Sequence, residues 1–562
     1  MAPEGGSYRR LKIGWGMNMS ITGALLGYGF WQVATRVSGE KHFGILENNL
    51  NQTGASAAAA ISSAGLVAPI PALTLLTGRT FGWAELALWV GSVGLVGVVA
   101  GVLIRKQLLN AGLAFPGGTA TGHTLKEMYA AGAEAMARVK MLLVGGAAGM
   151  LSKGINVLLS PSHLHFPGVL GVGGKISAGY SLANLTVSLE PSILMVATGG
   201  IIGLRACLSM VLGAIVAWLV VAPMGLEAGW IDPGPADVNK AWFSSRVKWM
   251  VWPGVTMMVV ASLTSFAFSG RMMVSGWGKS AAVEAPDPTD VPRRTILVVG
   301  ALVIALSSGL QVVLFDIKLW LAVLGVFLSF LLALVAGRVS GETGVTPIGA
   351  MGKVTQLTFG VPDPSNAASN LMAANVTGGA ASQCGDLLHD LKTGQMLGSW
   401  PRHQAVAQAA RVVGGAIVGS AAYLVLIPDP KNQLFTDEWA APAVVTWKAV
   451  AEVFQKGISA MPPMALEAMV IAAAVGIVLT LYEKLVPARI RPWVPSPVSI
   501  RLAFTIQVYT VLAFLIGAAL MAVGQKLAPK WTERFGLVLC AGVIAGESIA
   551  GVTDAFWKMF GA

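Results

Sequence analysis

Two uninterrupted apolar stretches lie close together near the middle of the chain. Residues 295–315 read TILVVGALVIALSSGLQVVLF, and residues 319–336 read LWLAVLGVFLSFLLALVA. A helix of about 20 apolar residues crosses roughly 30 Å of hydrocarbon while every backbone polar group is bonded within the segment. The two stretches therefore predict two successive transmembrane helices and place the fold in the membrane.

Comparable apolar runs recur along the whole chain. In chain order the twelve runs are 13–33, 55–76, 83–104, 139–159, 206–226, 247–268, 295–315, 319–336, 405–427, 464–485, 500–523 and 535–556, and 191–203 is a shorter thirteenth. Hydrophobic residues make up 55% of the 562-residue chain and charged residues only 12%, whereas roughly a quarter of a soluble protein is charged. We predict an all-α polytopic membrane protein with about 12 to 13 transmembrane helices.

Glycine interrupts the pattern in three places. The chain has 68 glycines, and the stretches 112–137, 173–190 and 341–394 are apolar but broken by Gly, Pro and Thr. Non-helical backbone is tolerated at membrane depth where it is buried in protein or lines a water-filled cavity, and discontinuous helices form binding sites in secondary transporters. We expect all three stretches to be re-entrant or half-helix elements around a central site.

The net charge of +11 reports membrane topology, because the basic residues flank the apolar runs. The loop over residues 227–237 is acidic and the loop over 271–294 is basic, which places the second on the cytoplasmic side. We predict a multi-pass protein of the cytoplasmic (inner) membrane. No nucleic-acid-binding motif occurs, so we expect no nucleic acid as partner.

The metal-ligating residue types are sparse. Cys207, Cys384 and Cys540 lie far apart in apolar or small-residue stretches, so they predict neither a disulfide framework nor a metal cluster. His163 and His165 form a pair that lacks a third ligand nearby in the sequence. We therefore expect no metal site and no cofactor.

A weak internal repeat is visible. Residues 117–127 read GGTATGHTLKE and residues 378–390 read GGAASQCGDLLHD, and each segment precedes an apolar span. Such repeats are common in transporters. We predict a single transmembrane domain over 1–562 with related halves of about 13–270 and 295–562; because glycine is abundant, chance similarity is the alternative.

Four motifs, in a fixed order among many apolar spans, carry a resemblance to a known family. They are ILENNLNQT at 45–53, FPGGTAT at 115–121, GDLLHDLKTG at 385–394 and AGES at 545–548. In this combination the chain resembles the oligopeptide transporter (OPT) family, including its yellow stripe-like branch, and among its members a prokaryotic type. The resemblance implies a proton-driven importer of small peptides, modified peptides or metal complexes of small chelators, and no enzymatic activity.

The resemblance extends to the N-terminus with one departure. Residues 8–15, YRRLKIGW, resemble the end of a segment that closes the first span in the family, and no apolar run precedes them here. We expect the chain to lack that span and its N-terminus to face the opposite side from its relatives.

Polar and charged residues within apolar surroundings are the candidate functional residues, since an ionisable group at mid-bilayer costs about 3 kcal/mol. For substrate binding the candidates are Glu47, Asn48, Asn49, Gln52, Gly117, Gly118, Thr119, Asp386, Asp390 and Lys392. For proton coupling they are Glu190, Asp386 and Glu547. The expected partners are a peptide or metal-chelate substrate, protons and membrane lipid, with a homo-oligomer as an option.

Each candidate also has a purely structural interpretation. Asp386 and Asp390, spaced i, i+4, could form an ion pair with Lys392 or Arg402 that anchors a half-helix. Glu190 could cap the helix that begins at Pro191, and the polar side chains of 47–52 could be a hydrogen-bond hub between helices. Gly117 to Thr121 could allow close packing instead of anion binding. Among functions, an uncoupled channel and a membrane-embedded enzyme are the alternatives to a coupled transporter.

Overall fold

Apolar helices dominate the computed structural model, as the hydropathy pattern predicts. The structure describes residues 19–39, 43–110, 113–130, 132–159, 164–165, 180–189, 192–233, 241–276, 288–344, 346–436, 439–457, 461–487, 489–490 and 493–560. Within these residues the chain divides into two compact units. Unit 1 contains residues 15–140 and 266–428, and unit 2 contains 141–265 and 429–562.

The first half of the chain contains ten helices and two short strands in the described part. They are α1 (Ser20–Ser38), α2 (Ile45–Ala60), α3 (Pro69–Thr77), α4 (Trp83–Asn110), α5 (Pro116–Ala130), α6 (Gly132–Leu159), β1 (Leu164–His165), β2 (Ser188–Leu189), α7 (Ile193–Ile202), α8 (Leu204–Ala214), α9 (Ala222–Glu227) and α10 (Phe243–Gly276). A 3₁₀ turn, Ile61–Ala64, follows α2, and a π-helical segment, Ile215–Val221, joins α8 to α9. The strands pair antiparallel, with Leu164 opposite Leu189.

The second half continues with helices alone among its described residues. They are α11 (Arg293–Phe315), α12 (Leu319–Thr343), α13 (Ile348–Gly360), α14 (Ala367–Leu397), α15 (Pro401–Leu426), α16 (Pro430–Gln433), α17 (Pro442–Lys456), α18 (Ala465–Leu485), α19 (Pro497–Leu502), α20 (Val508–Leu527), α21 (Pro529–Trp531) and α22 (Leu537–Phe560). A π-helical segment, Thr532–Gly536, precedes α22. The all-α polytopic fold class is confirmed.

Nine helical segments among the described residues are long and apolar enough to cross a membrane. They are Trp83–Asn110, Glu134–Leu158, Leu204–Glu227, Arg293–Phe315, Leu319–Gly341, Pro401–Leu426, Ala465–Leu485, Val508–Leu527 and Pro529–Asp554. Each overlaps a predicted run, and the predicted short thirteenth corresponds to α7. The run at 13–33 lies partly outside the described residues, and the run at 247–268 lies within the 34-residue α10.

The predicted span over 55–76 is not one helix. Helix α2 ends at Ala60, a 3₁₀ turn follows, and Gly65 has φ +139° before α3 begins at Pro69. Gly tolerates this backbone conformation, and proline has no N–H to continue the preceding helical hydrogen bonds. The break therefore has a local cause in the sequence.

The three glycine-rich stretches differ among themselves. The first contains α5, a 15-residue helix, and the part of the second that the structure describes, 180–189, is a turn leading into β2. The third contains the short helix α13 and then α14, which runs without interruption for 31 residues. No proline lies between Ala367 and Leu397, so small residues there permit a continuous helix that neighbouring helices approach closely.

Helix α14 is the centre of unit 1. It packs against α2, α3, α4, α5, α11, α12, α13 and α15, and it is buried along most of its length. Glycines make the contacts close: a Cβ at Gly97 of α4 would meet the Ala380 carbonyl oxygen, and a Cβ at Gly118 of α5 would overlap that of His389. Close approach through small residues is typical of helix packing in membranes.

In each of the predicted halves, an earlier segment belongs to unit 1 and a later segment to unit 2. The same order in both halves is what a duplicated chain would produce. The internal repeat itself stays a prediction.

Candidate functional site

The polar side chains of α14 are buried although the helix lies among apolar neighbours. Those with at most 4% exposure are Ser369, Asn370, Asn375, Thr377, Ser382, Gln383, His389, Asp390 and Thr393. Buried polar groups normally need hydrogen-bond partners. The neighbours of α14 supply them, and the most densely polar region surrounds Asp390.

Asp390 lies near the C-terminal end of α14 and is 1% exposed. The Ser20 hydroxyl of α1 donates to its Oδ1 at 3.2 Å. Gln52 and Ser56 of α2 are close enough to interact with the same carboxyl group, yet Oδ2 lacks a hydrogen bond of good geometry. Side chains from three helices thus converge on one buried carboxyl.

An amide network extends from this carboxyl. Gln404 of α15 donates through Nε2 to the Asp390 carbonyl oxygen at 2.7 Å and to the Thr53 hydroxyl at 3.3 Å. Gln52 donates to Asn49 Oδ1 at 3.1 Å. The network joins α2, which carries the Asn48 to Gln52 cluster, α14, which carries Asp390, and α15, which carries Gln404.

In this network, buried acceptors without a partner outnumber buried donors without a partner. Its buried atoms without a hydrogen-bond partner are Asn49 Nδ2, Gln52 Oε1, Asp390 Oδ2, Gln404 Oε1 and Gln408 Oε1. Four of these five are oxygens. A proton on Asp390, or an ammonium group of a ligand, would supply the missing donor, so the region favours a positively charged or protonated species.

The Gly117 to Thr119 segment lies at the start of α5, against the same helix. The Gly118 N–H donates to His389 Nδ1 at 3.1 Å, and the Thr393 hydroxyl donates to the Gly118 carbonyl oxygen at 2.8 Å. The Thr119 hydroxyl donates to the Ala114 carbonyl oxygen at 2.6 Å. These bonds favour the close-packing interpretation, and substrate binding by this segment stays a prediction.

Four candidates lie at the margin of the network. Glu47 is exposed in the first turn of α2, while Asn48 is buried and donates to the Ala24 carbonyl oxygen at 3.1 Å. Asp386 is partly buried one turn before Asp390, and Lys392 donates to Gln395 Oε1 at 3.4 Å. Their roles in binding stay predictions.

Glu547 belongs to unit 2, separately from this network. It is 2% exposed, and it accepts hydrogen bonds from the Ser192 hydroxyl at 2.7 Å and the Leu194 N–H at 2.9 Å. The carboxyl therefore satisfies donors at the N-terminus of α7, where negative charge is favourable. The other predicted proton carrier in this region, Glu190, lies outside the described residues.

Sequence reasoning missed several residues of the network. His389 joins the Gly118 amide to the Ser340 hydroxyl, 3.0 Å from its Nε2, and Gln408 donates to Gln383. Gln404 and Gln408 are spaced i, i+4 at the start of a predicted span, a signal that could have found them. Lys353 of α13 is also fully buried and donates to Gln356 at 2.6 Å.

The described residues contain no group of three or more His, Cys, Asp or Glu side chains arranged to hold a metal. The absence of a resident metal or cofactor stays an expectation.

Comparison with known proteins identifies the chain. The family model described as "OPT oligopeptide transporter protein" matches residues 6–558. The chain belongs to this family. The resemblance to the OPT family drawn from the four motifs is therefore confirmed, and so is the expectation that the protein is a transporter and not an enzyme. The prokaryotic type stays a prediction.

Three curated relatives of the OPT family align over most of their length. The chain is 23% identical to "Putative oligopeptide transporter YGL114W" of Saccharomyces cerevisiae, over 97% of this chain and 92% of that protein. It is 23% identical to "Metal-nicotianamine transporter YSL2" of Arabidopsis thaliana, over 95% of this chain and 87% of that protein. It is 25% identical to "Putative oligopeptide transporter" of Haemophilus influenzae, over 92% and 88% respectively.

Proposed function

We propose that this OPT family member is a secondary active transporter that couples proton entry to the import of small peptides or metal-chelate complexes across the cytoplasmic membrane. The names of the relatives, oligopeptide transporters and a metal-nicotianamine transporter, support the two substrate classes. The observation that carries the coupling is the excess of unpaired acceptors around the buried Asp390 carboxyl.

The proposed mechanism follows from that excess. With Asp390 protonated, its hydroxyl donates to an amide oxygen of the network, such as Gln52 Oε1, and the buried site carries no charge. Loss of the proton leaves a buried carboxylate held by Ser20 and its neighbours and removes this donor from the network, which weakens the binding of a substrate that the protonated, uncharged site holds. Asp386, one turn away on the same helix, raises the cost of a second negative charge. Proton occupancy and substrate occupancy at this site are thereby linked.

The energetics are sufficient for useful import. Moving one elementary charge through 100 mV is worth about 2.3 kcal/mol, which corresponds to about fifty-fold accumulation. One proton per substrate at Asp390 therefore meets the requirement.

The test is uptake into proteoliposomes of labelled tripeptides and of iron-nicotianamine, with and without an imposed pH gradient. We expect Asp390→Asn to reduce accumulation from about fifty-fold to equilibration at about one, because Asn keeps an acceptor but carries no titratable proton. Exchange of labelled for unlabelled substrate should persist, since exchange needs no net proton movement. Asp386→Asn tests the neighbouring carboxyl in the same assay.

Asp429→Asn is the matched control, because Asp429 is an exposed carboxylate at the start of α16. Undiminished gradient-driven accumulation by Asp390→Asn would refute the coupling proposal. If the substrate flux through the wild type were the same with and without the pH gradient, the uncoupled-channel alternative would be established instead.

A further inference from the structure

A second buried charge lies in unit 2 and has no part in the mechanism above. Arg246, near the start of α10, is fully buried, with 0% exposure. It was not a candidate in the sequence, since a basic residue just before an apolar span is usually an interfacial anchor. In the structure it is not an interfacial anchor, because its side chain is fully buried in the protein.

Only one nitrogen of the Arg246 guanidinium is hydrogen-bonded. Nη1 donates to the Asn184 carbonyl oxygen at 3.2 Å and to the Trp242 carbonyl oxygen at 3.4 Å. The guanidinium also lies over the Trp242 ring, with its central carbon 4.4 Å from the ring centroid. Nε and Nη2 are buried and have no partner.

Burying the Arg246 guanidinium with two nitrogens unpaired lowers the stability of the fold. The guanidinium stays charged in proteins, and a buried charge requires compensation. Among the described residues no acidic side chain forms an ion pair with Arg246. Carbonyl dipoles and one aromatic ring offset part of the cost, and the three N–H groups on Nε and Nη2 remain unsatisfied.

The two unsatisfied nitrogens have a defined chemical preference. Nε and Nη2 form one edge of the planar guanidinium, and their parallel N–H groups match the two oxygens of a carboxylate in a bidentate pair. A single such edge takes one carboxylate. The first turn of α10, whose N-terminus is its positive end, adds to the preference for an anion.

Tyr180, like Arg246, lies near the Trp242 ring and provides a further donor. It is 1% exposed, its hydroxyl has no partner, and its ring centroid is 6.5 Å from that of Trp242. It interacts electrostatically with Arg246 and with the exposed Glu227, the charged neighbours that bear on its hydroxyl. Two adjacent buried side chains thus hold three unused donor positions.

The backbone holds these side chains in place. The Trp242 N–H donates to the Asn184 carbonyl oxygen at 3.1 Å, and Asn184 Oδ1 accepts from the Ser181 N–H at 2.7 Å. The Tyr509 N–H donates to the Thr186 carbonyl oxygen at 3.1 Å and thereby ties the same turn to α20. A rigid frame of this kind reduces the ordering cost of binding.

We propose that Arg246 and Tyr180 form a binding site for one carboxylate group of the transported solute. Nε and Nη2 of Arg246 donate two parallel hydrogen bonds to the carboxylate, and the Tyr180 hydroxyl donates a third. The C-terminus of a peptide and the carboxylate of a metal chelator share this chemistry. That the carboxylate belongs to a transported solute rests on the proposed function; that the site binds carboxylates does not.

The experiment measures binding without transport, in purified full-length protein in detergent. Three carboxylate probes, acetate, trialanine and iron(III)-nitrilotriacetate, are compared with chloride, acetamide and trialanine amide by calorimetry and by the shift of thermal unfolding. We expect the carboxylates to bind and the amides and chloride not to. Preference for trialanine identifies a peptide terminus as the source, and preference for the chelate identifies a chelator.

Variants assign the binding to the site. Arg246→Gln should weaken the affinity for the carboxylate by about tenfold to a hundredfold, because charge-assisted hydrogen bonds are lost. Arg246→Lys should bind with intermediate affinity, since lysine keeps the positive charge but lacks the two parallel N–H groups of the guanidinium edge. Tyr180→Phe removes a hydroxyl without a partner, should fold normally, and should weaken binding by a smaller factor. Arg205→Gln, on a partly exposed arginine paired with Glu483, is the matched control.

Two results overturn the inference. The first is that the wild type does not prefer carboxylates: it binds trialanine and its amide with equal affinity, or it binds no carboxylate at all. The other is unchanged affinity in Tyr180→Phe and in every Arg246 variant that folds. Because no gradient is applied, these results are independent of whether Asp390 couples transport to protons.

Discussion

Asp390 and Arg246, two of the buried charged residues, are held in different ways. Asp390 in unit 1 is surrounded by side chains from α1, α2 and α15, and its charge can be removed by one proton. Arg246 in unit 2 is held by two backbone carbonyl groups and a Trp ring, and its charge is permanent. The difference separates two tasks: a titratable group suits energy coupling, whereas a permanent charge with an unused edge suits recognition of an anion.

The largest effect is expected when variants of Asp390 and Arg246 are compared for accumulation and exchange, which tests whether the two residues have separate tasks. Asp390→Asn should lose gradient-driven accumulation and keep substrate exchange, whereas Arg246→Gln should lose both at substrate concentrations below saturation, because binding itself is weakened about tenfold to a hundredfold. Exchange and accumulation are measured side by side in proteoliposomes. If both variants lost exchange to the same extent, the division of tasks would be wrong.

The sequence predicted the helices that have charged ends and uniform apolar interiors. The run at 295–315 corresponds to α11, Arg293–Phe315, because the hydrocarbon thickness sets the length and Arg293 marks the boundary. It did not predict α14 as continuous, since Gly378 and Gly379 weaken a helix by propensity alone. Packing from eight neighbouring helices, which no local pattern encodes, stabilises α14.

The sequence likewise indicated some residues of the candidate site and not others. Asp390 was recognised because carboxyls at i, i+4 in an apolar stretch are costly, and the buried Asn48 to Gln52 cluster was recognised by its polarity. Gln404 and Arg246 flank apolar spans, where polar residues are ordinary. Their importance follows from burial and from missing partners, which are properties of the tertiary structure.

A second prediction concerns packing around Asp390. Gly118→Ala would place a Cβ on the His389 carbonyl oxygen, so α5 and α14 would have to separate, and we expect a loss of about 2 to 3 kcal/mol in the free energy of unfolding. Gly414→Ala on α15 is the control, because that glycine has no neighbour within 4 Å and the substitution should be neutral or slightly stabilising. Thermal unfolding in detergent measures both. Equal midpoints would contradict the close contact.

A smaller effect distinguishes Asp390 from the other buried carboxyl group described above, Glu547. Ser192→Ala removes the hydroxyl that donates to Glu547 Oε1 and leaves the Leu194 N–H in place. We expect the free energy of unfolding to fall by about 1 to 2 kcal/mol, with gradient-driven accumulation per folded molecule unchanged, because Glu547 caps α7. Loss of accumulation without a change in unfolding would instead assign proton coupling to Glu547.

The smallest expected effect concerns an exposed carboxylate, Asp429, as the counterpart of the buried ones. The Asn432 side-chain amide, at 2.6 Å, and the backbone N–H groups of Lys431 and Asn432 lower the pKa of Asp429 below its usual value near 3.8. A lowered pKa in the folded state stabilises the fold at pH above the unfolded value, and this contribution is lost as the pH falls through the folded value. Wild type should therefore unfold at a slightly higher temperature than Asp429→Asn at neutral pH, and the difference should vanish in acid. Solvent screens this exposed group, so its effect should be small. If Asp429→Asn lowered the stability at neutral pH as much as Ser192→Ala does, the strong charge effects could not be assigned to the buried sites.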